Sequence, residues 1–336
     1  MAQATDAIVA GGGSGSVHPS WHGIAAPLDA IRKRAGGGDN TTSFSDGSDI
    51  AASVTAAQQA DVAIVFVGTS SGEGTDRKSL SLDAGRGTCG KNTPVRLCNQ
   101  NSLVTTVATA QPNTVVVVAT PGPVLLPWSA NVSAILTTFM CGEQVGNAVA
   151  DILFGKVNPS AKLPVTFPNM DNETQLTPNQ WPYTNKSDPT VNFTERGLFG
   201  YRYYDAHNLS FSSGFAFGHG LSFTTFHYSS LHAVNRHNTT EITFSLLNNG
   251  TIAGAEVVQL YLTFPVEAAA PPQQLKGFKK VELAAGGKTT VTLALTLRDL
   301  SIWDVDSHAW TVVSGTFGVM VGSSSRDQRL TGSFTV

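Results

Sequence analysis

Hydrophobic positions follow two different rules on either side of a polar stretch at 169–222. From residue 223 onward they recur at every second position. Ile242, Phe244 and Leu246 form one such set, and Val258, Leu260 and Leu262 a second. Val291, Leu293, Leu295 and Leu297 form a third, and Phe317, Val319 and Val321 a fourth, with turns such as NNGT and AAGGK between sets. Successive side chains of a strand point to opposite faces, so each set lines one buried face. The spacing predicts an antiparallel β-sandwich of the immunoglobulin or fibronectin type III kind, without the Cys-Trp-Cys hallmark.

Before residue 169 the apolar runs are continuous instead. Residues 61–67 read DVAIVFV, residues 114–120 read TVVVVAT, and SAILTTFM follows at 133–140. A strand that is apolar at nearly every position is buried on both faces, which requires a parallel sheet covered by helices. Helical patterns fall between these runs. Residues 47–60 start at a polar cap and continue alanine-rich, 99–111 read NQNSLVTTVATAQ, and 143–155 carry apolar residues at helical spacing and end on Gly155. The alternation predicts an α/β domain over 1–168 and an all-β domain over 223–336. Residues 169–222, rich in Asn, Pro, Tyr and Thr without clear periodicity, read as a connector. The fold class is therefore α/β plus all-β.

Composition narrows the function. Lys and Arg number 21 against 24 Asp and Glu, with no basic block, so neither nucleic acid nor a membrane surface is an expected partner. No apolar run reaches the roughly 18 residues of a membrane span, and no charged n-region and apolar h-region mark a signal peptide at the N-terminus. Eight N-x-S/T acceptors occur, at Asn40, Asn131, Asn172, Asn185, Asn192, Asn208, Asn238 and Asn249. With only 13% charged residues, they point to a secreted or vacuolar-lysosomal protein carrying N-glycans. Cys89 and Cys98 bracket the loop CGKNTPVRLC and can close it in an oxidising compartment, leaving Cys141 odd. His18 and His22 have ligand-like spacing, but the intervening proline turn prevents a helix, so no metal site and no cofactor are expected.

Three stretches invite a chemical reading. Ser70 completes a G-x-S-x-G pattern after the 61–67 run, as in a serine hydrolase. A nucleophile elbow needs a helix directly after the serine, whereas SGEGTDRKSLSLDAGRGTCG is rich in glycine. The cluster AGGGSGSV at 10–17 does not fit G-x-G-x-x-G, because Ser16 stands at its last glycine and Pro19 interrupts any following helix. Glu73, flanked by Gly72 and Gly74 just beyond a strand's carboxyl end, is free to be offered to a partner surface. Residue types alone favour the plainer reading, a solvated loop carboxylate.

Longer motifs favour the glutamate. IVAGGGSGSV, ADVAIVFVGTSSGEGTDRKSLSL, ILFGKVNPSAKLPVTFP, GYRYYD and FAFGHGLSFTTFHYS resemble the C-terminal domains of glycoside hydrolase family 3, the β-glucosidases and β-xylosidases. QQLKGFKKVEL, followed by LSIWDV and GSSSRD, resembles that family's fibronectin type III-like domain. The resemblance covers nearly the whole chain. It implies that Glu73, in EGTDR, is the general acid/base of a retaining, exo-acting β-glucosidase-like enzyme. Asp76 and Arg77 would shape and anchor its loop, and the substrate would be a β-linked oligosaccharide or glucoside. The family's nucleophile is an Asp on a preceding (β/α)₈ barrel of about 250 residues, which this chain does not contain. The barrel is thus an implied partner, and the chain alone is expected to be inactive. The family's opening strand also precedes the first residue here, and CGEQ at 141–144 departs from the usual P-G-Q-E. The rival reading is a non-catalytic carbohydrate-binding or interaction module.

Overall fold

The computed structural model describes residues 23–37, 41–72, 77–84, 98–178, 180, 190, 193–236 and 238–336. Its contacts divide the chain into two units. One is drawn from Met1–Val157 with Phe167–Glu173 and Ser212–Gly214, the other from Asn158–Thr166, Thr174–Phe211 and Phe215–Val336.

The first unit is α/β. Its described elements run α1 (Pro27–Arg34), α2 (Ile50–Gln58), β1 (Ala63–Gly68), α3 (Gln100–Ala110), β2 (Thr114–Ala119), β3 (Ala134–Thr137) and α4 (Val145–Leu153). The three strands form a parallel sheet in the order β1-β2-β3, with Val65 opposite Val116 and Val117 opposite Leu136. Val67, Val116 and Val118 are fully buried, which is why the sequence carries unbroken valine runs here. Ala30 and Ile31 of α1 and Ala150 of α4 cluster with Ile64 and Phe66 of β1. Alternation along the strand turns Val65 and Val67 to the opposite face.

Local signals set the helix ends. The Asp49 carboxylate accepts from the N–H groups of Ala51 and Ala52, capping α2 at the polar residues that the sequence offers there. Helix α1 was not among the expected elements. It has Pro27 at its start, Asp29 in its first turn and Arg32, Lys33 and Arg34 in its last, the charge order a helix dipole favours. With so few apolar positions, its pattern is short. Helices α1 and α4 meet closely. Gly146 N donates to Ala25 O at 3.0 Å, and a β-carbon at Gly146 would lie 2.3 Å from that same oxygen. Arg34 of α1 pairs with Asp151 of α4.

The second unit is mostly antiparallel. A short helix, α5 (Tyr201–Ala206), lies in the stretch read as connector and was not foreseen. The strands are β4 (Phe226–Arg236), β5 (Thr239–Asn248), β6 (Gly254–Thr263), β7 (Gln274–Leu283), β8 (Lys288–Thr296), β9 (Ser301–Asp304), β10 (Ala309–Val312), β11 (Thr316–Gly322) and β12 (Gln328–Thr335). One sheet runs β12-β11-β6-β7 and the other β4-β5-β8, with β9 and β10 as a separate hairpin. The alternating residues of β5, β6, β8 and β11 form one core. Lys162 pairs with the buried Glu256 of β6 at 2.9 Å, joining the 158–166 segment to this unit.

One expected core position is different. Leu297 is 40% exposed, because β8 ends at Thr296 and the chain enters a single helical turn over Leu297–Leu300. The Asp299 carboxylate accepts from both the N–H and the hydroxyl of Thr296, fixing that turn, and Leu300 is buried in place of Leu297. Among the described residues no helix is long and apolar enough to cross a membrane.

This contrast sets a prediction. Leu260→Ala should lower stability by about 2–5 kcal/mol, the usual cost of emptying a packed site. Leu297→Ala should stay within about 0.5 kcal/mol, as exposed substitutions do. Urea denaturation of the intact chain compares the two, and equal losses would contradict the exposure of Leu297.

Candidate active site

In an open parallel sheet, ligands bind beyond the carboxyl ends of the strands. The segment leaving β1 begins there. Gly68 N donates to the side-chain Oε1 of Gln100 at 2.7 Å, and Thr69 N donates to Ala119 O at 3.1 Å. Ser70 is half-buried, and the next helical turn among the described residues is Leu82–Ala84. No oxyanion-forming helix starts at that serine. Glu73 and Asp76 lie outside the described residues, as do the glycine cluster at 10–17, His18, His22 and Cys89.

The chain re-enters the described structure at Arg77, whose guanidinium is half-buried. Its Nη1 donates to Pro123 O at 3.0 Å, in the loop that follows β2. Burial lowers its pKa from the ordinary value, and nearby Asp171 works in the opposite direction. Asp171 also accepts from Ser79 Oγ at 2.5 Å and from Leu80 N at 2.7 Å. Leu125 N then donates to Leu80 O at 2.9 Å, and Ser81 bridges Leu125 in parallel.

A further set of bonds joins this returning segment to the start of α3. Asp83 accepts from the backbone N–H of Gln100 at 2.7 Å and from Asn101 Nδ2 at 3.0 Å. Gln100 Nε2 donates to Leu82 O at 2.8 Å. Trp128 Nε1 donates to Asn101 Oδ1 at 2.9 Å, so the loop after β2 is tied to the same network. Arg77 thus makes a side-chain bond to a backbone oxygen distant in sequence. Asp83, Gln100, Asn101 and Asp171 make comparable long-range bonds, and sequence reasoning singled out none of them. Their partners are distant in sequence, and an uncharged Gln-Asn pair opening a helix has no special signature.

The other candidate residues are spread more widely. Cys98 is disulfide-bonded, and Cys141 carries a free thiol whose Sγ donates to Thr138 O. Asn131, Asn208, Asn238 and Asn249 are exposed and Asn172 is half-buried, while Asn40, Asn185 and Asn192 lie outside the described residues. Among the described residues no group of His, Cys, Asp and Glu is arranged to hold a metal ion.

Known proteins resemble this arrangement in sequence and in fold. Residues 2–223 match the model of the glycosyl hydrolase family 3 C-terminal domain, and residues 256–325 match a fibronectin type III-like domain. The "Probable beta-glucosidase D" of Aspergillus niger is 39% identical over 305 residues, covering 83% of this chain and 37% of that protein. The β-D-glucoside glucohydrolase from Trichoderma reesei superposes with a TM-score of 0.83 at 34% identity, over 98% of this chain and 47% of its own. A β-glucosidase from Streptomyces venezuelae, solved in complex with D-glucose, superposes with a TM-score of 0.76 at 34% identity, over 85% and 35%. This chain thus spans about half or less of the length of these proteins.

One atom at the base of the loop generates a test. Thr69 is 4% exposed, and its Oγ1 has no hydrogen-bond partner among the described residues. A buried hydroxyl left unpaired costs about 1–3 kcal/mol, and removing it in favour of a methyl of the same shape relieves that cost. Thr69→Val should therefore leave stability unchanged or raise it by about 1 kcal/mol in thermal or urea unfolding. A loss of the same size would reveal a partner for the hydroxyl.

Proposed function

The chain belongs to glycosyl hydrolase family 3, and from that premise we propose that it forms the acid/base-bearing part of a retaining, exo-acting β-glucosidase-like enzyme. Its substrate would be a β-linked oligosaccharide or glucoside, cleaved at the non-reducing end. One observation carries the reading. On either side of Glu73 the chain is tied to residues distant in sequence, Gly68 at the end of β1 to Gln100, Arg77 to Pro123 O, and Leu80 to Asp171. A glutamate on such a mount can be held to one position against a sugar, as a loose surface carboxylate cannot.

In this reading the nucleophile is an aspartate on a barrel joined to this chain. It attacks the anomeric carbon while Glu73 gives its proton to the departing glycosidic oxygen. Glu73 then takes a proton from water, which releases the sugar from the covalent glycosyl-enzyme with its configuration retained. Arg77, fixed on Pro123 O, anchors the returning side of the loop, and Asp76 shapes its turn.

We read the protein as maturing in the secretory route. The exposed acceptors at Asn131, Asn208, Asn238 and Asn249 and the disulfide at Cys98 support this. Cys89 is the proposed partner of Cys98. Peptide mapping without reductant should recover the two in one linked fragment, and a free thiol at Cys89 would refute the pairing.

The decisive variant for the catalytic reading is Glu73→Ala in the barrel-containing enzyme. Substrates with poor leaving groups should slow by roughly 10²–10⁴-fold, the usual worth of positioned proton transfer. Activated aryl glycosides need little protonation and should lose much less in their first step. Added azide should restore turnover by attacking the glycosyl-enzyme without base assistance, and Ser70→Ala should change little. Equal rates for both substrate classes, or no response to azide, would remove Glu73 from the mechanism.

A further inference from the structure

Gln100 is buried at 4% exposure, carries no charge and takes no part in the chemistry above. Its amide nevertheless joins two distant points of the backbone. Oε1 accepts from Gly68 N at 2.7 Å, at the end of β1, and Nε2 donates to Leu82 O at 2.8 Å, where the loop returns. An amide offers its acceptor and its donor in one rigid plane. Bonding both ends at once therefore fixes their separation and their relative height above the sheet. The backbone of the same residue is held in turn, since Gln100 N donates to Asp83 Oδ1 at 2.7 Å and Asn101 Nδ2 to Asp83 Oδ2 at 3.0 Å. The cross-brace is thus seated on the first turn of α3, an element that also packs on the sheet through Val104 and Val107.

We propose that Gln100 is a positioning residue for the acid/base, setting the spacing of the two loop ends and hence the place where Glu73 meets the glycosidic oxygen. The proposal rests on the reading of Glu73 given above. Misplacing a reacting group by about 1 Å can cost on the order of 10²-fold in rate. A slackened brace should therefore show in the chemical step while substrate binding is largely kept.

The test compares Gln100→Met, Glu73→Ala and the double variant in the barrel-containing enzyme. Gln100→Met, which keeps the length and loses both hydrogen bonds, should lower kcat on poor-leaving-group substrates by roughly 10–100-fold, with KM changed less than about 3-fold. Gln100→Glu keeps the acceptor for Gly68 N and should fall between. Added to Glu73→Ala, Gln100→Met should cost nothing more, because it acts through the group already removed. A readout independent of activity is amide hydrogen exchange in the present chain. Gly68 and residues 80–83 should exchange about 10-fold or more faster in Gln100→Met, with Val116–Val118 unchanged. Unchanged kcat and exchange in Gln100→Met, with Glu73→Ala still crippled, would overturn this proposal and leave the acid/base reading standing. An equal loss in both backgrounds, or faster exchange spreading through β2, would show a general structural role and overturn it too. If Glu73→Ala is itself without effect, the acid/base reading falls and this proposal falls with it.

Discussion

A parallel strand buried on both faces can present a polar group to a ligand only where it ends, and that constraint organises the α/β unit. Val67 is fully buried, and one residue beyond Gly68 the last ladder-like bond runs from Thr69 N to Ala119 O. Past that point regular ladder pairing gives way to isolated contacts such as the Ser81–Leu125 bridge, and the buried N–H and C=O groups must still be satisfied. Side chains take over from the ladder. Gln100 serves Gly68 and Leu82, Asp171 serves Leu80, and Arg77 covers Pro123 O. These bonds tie Gly68, Leu80 and Leu82 to residues distant in sequence, and Gly68 N and Leu82 O would otherwise be buried without these partners.

The same constraint explains what could be read from the sequence. Strands β1 and β2 were legible because burial on both faces leaves unbroken apolar runs, and β5, β6, β8 and β11 because burial on one face leaves a period of two. Leu297 continued that period but escaped the core, since the Thr296–Asp299 contact turned the chain out of the strand first. Helices α1 and α5 were illegible for lack of length. Eight and six residues give a 3.6-residue period little room to show.

For the site, legibility was uneven in a different way. Glu73, Asp76 and Arg77 stand together in EGTDR and could be found from a contiguous motif. Residue chemistry alone did not rank the glutamate above a solvated carboxylate. Gln100 and Asp171 could not be found at all, because their partners lie 32 and 91 residues away along the chain. Function in this domain thus divides by range. The proposed acid/base is written locally, whereas the long-range bonds of Gln100 and Asp171 exist only after folding.

The central claim is that Glu73 stands where the glycosidic oxygen is protonated, and an affinity label reports on that place directly. N-bromoacetyl-β-D-glucosylamine carries its electrophilic carbon near the position of that oxygen, so the carboxylate there displaces bromide and becomes an ester. In the barrel-containing enzyme, peptide mass spectrometry should find one adduct, on Glu73, prevented by excess glucose and absent in Glu73→Gln. An adduct on another carboxylate, with Glu73 unmodified and inactivation complete, would contradict the account.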